Sequence, residues 1–77
     1  MNPFIPVTVT DPSGAIVKTF AITVVPETGE YILKMATTEA EEYAGSESLA
    51  RGTDLDVLGE RMGDALDALE NAGWSVS

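Results

Sequence analysis

Apolar positions follow two different rhythms along this chain, one in each half. In FIPVTVT, residues 4–10, Ile5, Val7 and Val9 fall on one side and Thr8 and Thr10 on the other, the period-two signature of a strand. Pro6 brings no N–H to a ladder, so this strand is expected at an edge or paired over only part of its length. DPSG at 11–14 suits a type I turn, with Asp first, Pro second and Gly last. Residues 15–25, AIVKTFAITVV, are rich in β-branched and aromatic side chains; Ile16, Phe20, Ile22 and Val24 share a face that Lys18 interrupts. PETG at 26–29 is a second turn, and EYILKMA at 30–36 a third strand with Tyr31, Leu33 and Met35 on one face. Links this short between successive strands imply an antiparallel meander.

The second half changes period. Thr38 and Glu41 fit a capping box, with Glu39, Glu41 and Glu42 in the first turn of a helix at about 39–50. Its apolar face is thin (Ala40, Tyr43, Ala44 and Leu49), Gly45 and Ser46 interrupt it, and a short strand over 47–51 is the alternative. The helix at about 54–71 is clearer. Thr53 is placed to cap it, and Leu55, Leu58, Met62, Ala65, Leu66 and Leu69 fall within an arc of about 120°. Asn71 and Gly73 mark its end, and Trp74 follows where a Schellman motif places an apolar residue. Trp74 and Val76 are expected to close the core, and Phe4, Phe20, Tyr31 and Tyr43 to lie in it.

These elements predict a single α+β domain over 1–77. A three-stranded antiparallel sheet (1–36) carries one long amphipathic helix, with or without a second short one, on one face. A chain of 77 residues buries only about 60% of its unfolded surface, so its stability should be modest.

Thirteen acids oppose four bases, a net charge of −9. Residues 1–36 carry −1 of this and residues 37–77 carry −8, so a nearly neutral scaffold bears an acidic helical half. Asp56, Glu60, Asp64, Asp67 and Glu70 occupy a second arc of about 120°, roughly opposite the leucines, and rise about 21 Å along the axis. Successive acids at i, i+4 stand about 6 Å apart, a spacing similar to that of phosphates along one DNA strand. A row of carboxylates at that pitch resembles a phosphate backbone to a groove lined with Lys and Arg. The row has a local cost, because like charges at i, i+4 repel and Gly59 and Gly63 beside it each cost about 1 kcal/mol of helix propensity.

Composition excludes several chemistries. Without His or Cys the chain lacks the commonest general base and the usual zinc ligands. Exposed acid pairs such as Asp54/Asp56 have no pocket to separate their pKa values, DLDVLGERMGD lacks the spacing of a calcium loop, and PSGA and PETG lack the lysine of a phosphate loop. No enzyme, cofactor or metal site is expected. So acidic a surface disfavours direct contact with nucleic acid or an anionic membrane and attracts a basic protein. With neither a signal peptide nor an apolar span, the expected setting is the cytoplasm.

Two resemblances sharpen this. AITVVPETGEYILKM followed by SLARGTDLDVLGERMGDALDAL resembles HicB-type antitoxins from Ala21 to Leu69: a strand, a glycine turn into a second strand, a third strand ending in a cap (here Gly52-Thr53-Asp54) and a long helix. Here Glu30 separates Gly29 from Tyr31, and no DNA-binding segment follows up to Ser77. The resemblance implies neutralisation of a basic RNA-cleaving toxin. In size, composition and charge the whole chain is similar to small phage-encoded anti-CRISPR proteins, which implies a DNA mimic that blocks a Cas effector complex in a bacterial host. The expected contact row is Asp56, Glu60, Asp64, Asp67 and Glu70, with Glu39, Glu41 and Glu42 as a second patch. A phage structural or assembly module is the remaining alternative, and the Gly59/Gly63 flank leaves room for a homodimer.

Overall fold

The structure is a computed structural model that describes residues 5–76; Phe4, expected in the first strand and the core, lies outside them. Strands β1 (Val7–Thr10), β2 (Ile16–Val25), β3 (Glu30–Glu39) and β4 (Glu42–Gly52) precede helix α1 (Leu55–Asn71) and strand β5 (Ser75–Val76). They form one antiparallel sheet in the order β4-β3-β2-β1-β5, and α1 packs against one of its faces. The chain is therefore α+β, with a sheet of five strands among the described residues rather than three.

The three hairpins have distinct causes. At the β1–β2 turn, Gly14 N–H donates to the Asp11 carbonyl at 3.0 Å. The Asp11 carboxylate accepts from Ser13 Oγ at 2.7 Å and from Ile16 N–H at 3.1 Å. These bonds, the one from Ser13 first, hold the Asp11 carboxyl below its ordinary range. Strands β2 and β3 pair without interruption from Ile16↔Glu39 to Val25↔Glu30. Strands β3 and β4 turn through Ala40 and Glu41, at φ of 50° and 69°, with Glu39 opposite Glu42. Positive φ at both central residues of a two-residue loop is the backbone of a type I′ turn, which twists with the strands but is unfavourable for residues with a Cβ. Ala40 N–H donates to the Ala15 carbonyl at 2.9 Å and ties this tip to the β1–β2 turn.

One compact core joins the layers. Val9, Phe20, Ile22 and Leu33 from the sheet meet Leu58 and Met62 from α1, and all six are buried. Val7, Tyr31, Met35, Ala50, Leu55, Ala65, Leu66, Leu69 and Trp74 pack around them, half-buried. Each buried aliphatic or aromatic side chain contributes about 1.5–3 kcal/mol. Among the described residues, none that is buried is polar or charged.

Several expectations are corrected. The helix at 39–50, its capping box at Thr38 and Glu41, and the helical first turn for Glu39, Glu41 and Glu42 are replaced by the end of β3, the Ala40-Glu41 turn and β4, within which the alternative strand over 47–51 falls. The β-branched Thr37 and Thr38 continue β3, and pairing places Ala50 opposite the buried Leu33, which the thin apolar face of a helix there would not match. Asp54, not Thr53, is the N-cap: its side chain accepts from Asp56 N–H at 3.0 Å. The helix ends as expected in a Schellman motif, with Trp74 N–H on the Leu69 carbonyl and Gly73 N–H on that of Glu70, both at 3.0 Å, and Gly73 at φ 95°. Trp74 packs on the core, but Val76 is 44% exposed because β5 pairs with the outer edge of β1 at Val9↔Val76. Tyr43 is 66% exposed on β4, and Val24 is exposed at the end of β2.

Two outcomes test this account. Replacing Ala40-Glu41 by Asn-Gly should raise stability by roughly 1–2 kcal/mol, the cost of the left-handed residues, as read by urea denaturation. Because folding lowers the Asp11 pKa, its contribution is present above the carboxyl's ordinary value of 3.8 and is lost as pH falls through the folded value. The stability gap between the wild type and Asp11→Asn should therefore be open at neutral pH and close in strong acid.

Candidate functional site: the acidic face of the helix

Burial of Leu55, Leu58, Met62, Ala65, Leu66 and Leu69 sets the rotation of α1 about its axis. With that face down, Asp56, Glu60, Asp64, Asp67 and Glu70 are all exposed. The helix is unbroken for 17 residues, so the five carboxylates form one row on a stiff rod. Asp56 lies in the first turn, where the helix dipole favours an acid, whereas Glu70 lies in a last turn that holds no base.

No cation among the described residues bridges to this row. The one salt bridge there joins Arg51 Nε to Glu30 Oε2 at 2.8 Å, and Arg51 Nη2 also reaches Glu30 Oε1 at 3.3 Å. That pair connects β3 to β4, away from the helix. Its hydrogen bonds push the Glu30 carboxyl below its usual range and the Arg51 guanidinium further up. Lys18 is half-buried and donates to Thr37 Oγ1 at 3.3 Å. Arg61, the one cation of α1, is exposed and forms no bridge to the acids of its own helix.

The second patch sits elsewhere. Glu39, Glu41 and Glu42 are exposed at the tip of the β3–β4 hairpin. Ala65, Ala68 and Leu69 of α1 stand over Met35 and Glu47 of the sheet, so this tip lies beyond the end of the sheet toward which the helix runs. The structure thus brings together the five helix acids as one row and the three hairpin acids as a separate cluster.

Gly59 and Gly63 are half-buried, yet a Cβ built on either would meet nothing within 4 Å. Packing inside the chain does not require them. Sequence reasoning reached β4 only through the alternative short strand over 47–51 and missed its first half, because a strand with Tyr43 and Leu49 both exposed has no apolar side to announce it. Two hollows of about 240 and 310 Å³ lie along this strand and share Met35 and Glu47.

Among the described residues no group of three or more His, Cys, Asp or Glu side chains could hold a metal ion, and no helix is long and apolar enough to cross a membrane. The chain matches no protein-family model, no curated protein and no solved structure.

The glycines provide a direct test of the helix. Gly59→Ala and Gly63→Ala should each stabilise the fold by about 1 kcal/mol, through helix propensity and a less flexible unfolded chain. Thermal and urea denaturation check this, and a loss of stability would mean that the flank is packed more closely than these distances imply.

Proposed function

We propose that this protein is a stoichiometric inhibitor that occupies the basic nucleic-acid-binding surface of a partner protein as a polyanion mimic. The observation that carries the reading is the row Asp56, Glu60, Asp64, Asp67 and Glu70, exposed along one rigid helix and bridged by no cation among the described residues. A solubilising helix face gains from interleaved lysines and arginines at i, i+4, which offset like-charge repulsion. This face forgoes that gain. In a groove lined with arginines and lysines the same carboxylates would replace phosphates, and the excess negative charge would speed encounter. Glu39, Glu41 and Glu42 at the hairpin tip extend the acidic surface.

The favoured target is a Cas effector complex whose DNA channel the helix would block, in keeping with the likeness in size and charge to anti-CRISPR proteins. A second reading, neutralisation of a basic toxin nuclease in the manner of a HicB-type antitoxin, is supported by the order of elements between Ala21 and Leu69. Two strands are followed by a third that ends at Gly52, then by a cap at Asp54 and the long helix.

The experiment is a competition. The protein and target DNA should exclude one another from a purified Cas effector complex, and affinity should fall steeply with salt. Glu60→Lys and Asp64→Lys should each weaken binding about tenfold or more, equivalent to about 1.4 kcal/mol apiece. Simultaneous binding of DNA and protein, or unchanged affinity in both variants, would remove the mimic reading. The same assay against a toxin RNase and its RNA discriminates the second reading.

A further inference from the structure

The two edges of the sheet are treated differently. On one side β5 pairs with β1 at Val9↔Val76 and Thr10↔Ser75 and covers half of its outer edge. On the other side β4 pairs with β3 alone, so over eleven residues its outward backbone N–H and C=O groups meet no strand among the described residues. Natural sheets blunt such edges with bulges and charges. Strand β4 has bulges at Ala44 and Leu49, where the register to β3 shifts, and Gly45 at φ 136° accommodates the first. Between them Gly45, Ser46, Glu47 and Ser48 run in regular register opposite Thr37, Ala36, Met35 and Lys34.

Beside this stretch lies a trough. Its first hollow, about 240 Å³, is bounded by Met35, Thr37 and residues 44–47. The second, about 310 Å³, continues between β4 and the helix, with Phe20 and Met35 in its floor, Ala65, Ala68 and Leu69 in its wall, and Glu47 and Leu49 at its lip. Leu49 is 41% exposed there, a large apolar side chain with one side against the trough and the other in water. Lys18, the cation of the lining, is drawn into the floor by Thr37 Oγ1 at 3.3 Å and Met35 Sδ at 3.8 Å. Glu47 is exposed and has no salt bridge among the described residues, and Glu39, Glu41 and Glu42 follow it toward the tip.

We infer that the β4 edge and its trough form a docking site for an extended segment of a partner protein, added as a strand along Gly45–Ser48. Backbone hydrogen bonds to the open edge would supply affinity. Alternate side chains would supply selectivity: an apolar one seated against Leu49 and Leu69, and a Lys or Arg facing Glu47. The charge of the lip selects this occupant over a second copy of the chain. An antiparallel pair of β4 edges that keeps both troughs on one face of the joined sheet and overlaps the regular stretches would set Glu47 opposite its own counterpart or within two residues of it, between molecules that each carry −9. A basic segment meets the opposite situation. The inference shares with the proposed function only the positive charge of the partner and places it at a surface distinct from the acidic helix row.

The test uses the whole chain with a Lys–Val peptide, the repeat Lys-Thr-Val-Thr, long enough to span β4 and presenting Lys and Val in turn to one face, and a Glu–Val peptide, the same repeat with Glu for Lys, as control. The expected result is several-fold slower hydrogen exchange at outward-facing amides within Gly45–Ser48 with the Lys–Val peptide alone. Leu49→Asp should weaken binding about tenfold although it adds a negative charge, and Glu47→Lys should weaken it as well; circular dichroism verifies that both variants fold. Equal or tighter binding by Leu49→Asp would show plain charge attraction and overturn the site, as would protection confined to α1. The Glu60→Lys/Asp64→Lys double variant separates the two surfaces. Protection of β4 that persists there supports the trough whatever becomes of the helix row, and protection that vanishes there overturns it.

Discussion

Everything else in this molecule depends on the burial of Leu58 and Met62 of the helix among Val9, Phe20, Ile22 and Leu33 of the sheet. A chain this short has room for one such contact between layers. Neither a disulfide nor, among the described residues, a buried polar network supplements it, so the hydrophobic effect must do nearly all the stabilising. The contact also fixes direction. Once the apolar stripe faces the sheet, the rotation of the helix is settled, and its carboxylates have nowhere to point except outward. The acidic row is therefore a geometric consequence of the core.

The parts legible in the sequence are those whose side-chain period matches burial. Strands β2 and β3 each keep one largely apolar face, which Lys18 interrupts, because the helix covers that face, so Phe20, Ile22 and Leu33 can be assigned inward. The helix is legible for the same reason at its own period, and Gly73 with Trp74 announces its end. Strand β4 is legible only in part, as the alternative short strand over 47–51. It lies at an edge, only Ala50 of its side chains packs on the core, and two bulges break the alternation that would mark EYAGSESLARG as extended. The turn before it carries Ala40-Glu41 rather than Asn-Gly, so the strongest local sign of a hairpin is absent. With Thr38 and Glu41 correctly spaced for a capping box, local pattern favours a helix and long-range pairing with β3 overrules it. Strand β5 is two residues long, too short for any period to register.

The candidate site is legible to a different degree. Which acids share a helix face follows from the helical repeat alone, and the five-residue row can be drawn from residue spacing. Whether neighbouring cations neutralise it cannot, because that depends on where the chain brings Lys18, Lys34, Arg51 and Arg61. Arg51 is held by Glu30 across the sheet, and Lys18 turns toward Thr37. These pairings leave the row unopposed by either cation, and neither can be read from sequence spacing. The glycines present the converse case. Their propensity cost is visible in the sequence, but only the open space around them shows that packing within the chain offers no compensation.

The two proposed surfaces place different demands on a partner. A row of carboxylates on a stiff rod contributes mostly long-range attraction and register, both weakened by salt, and asks only for a cationic groove of matching pitch. An open strand edge beside an apolar trough contributes short-range backbone bonds and desolvation, which salt hardly affects, and asks for an extended segment of suitable side-chain alternation. Charge alone discriminates poorly among the many basic proteins of a cell, since each offers arginines and lysines. Backbone pairing alone discriminates poorly among strands. A protein with little room for a large interface gains specificity by requiring both. The fold makes this available because β4 is, among the described residues, the one long strand without a neighbour on its outer side.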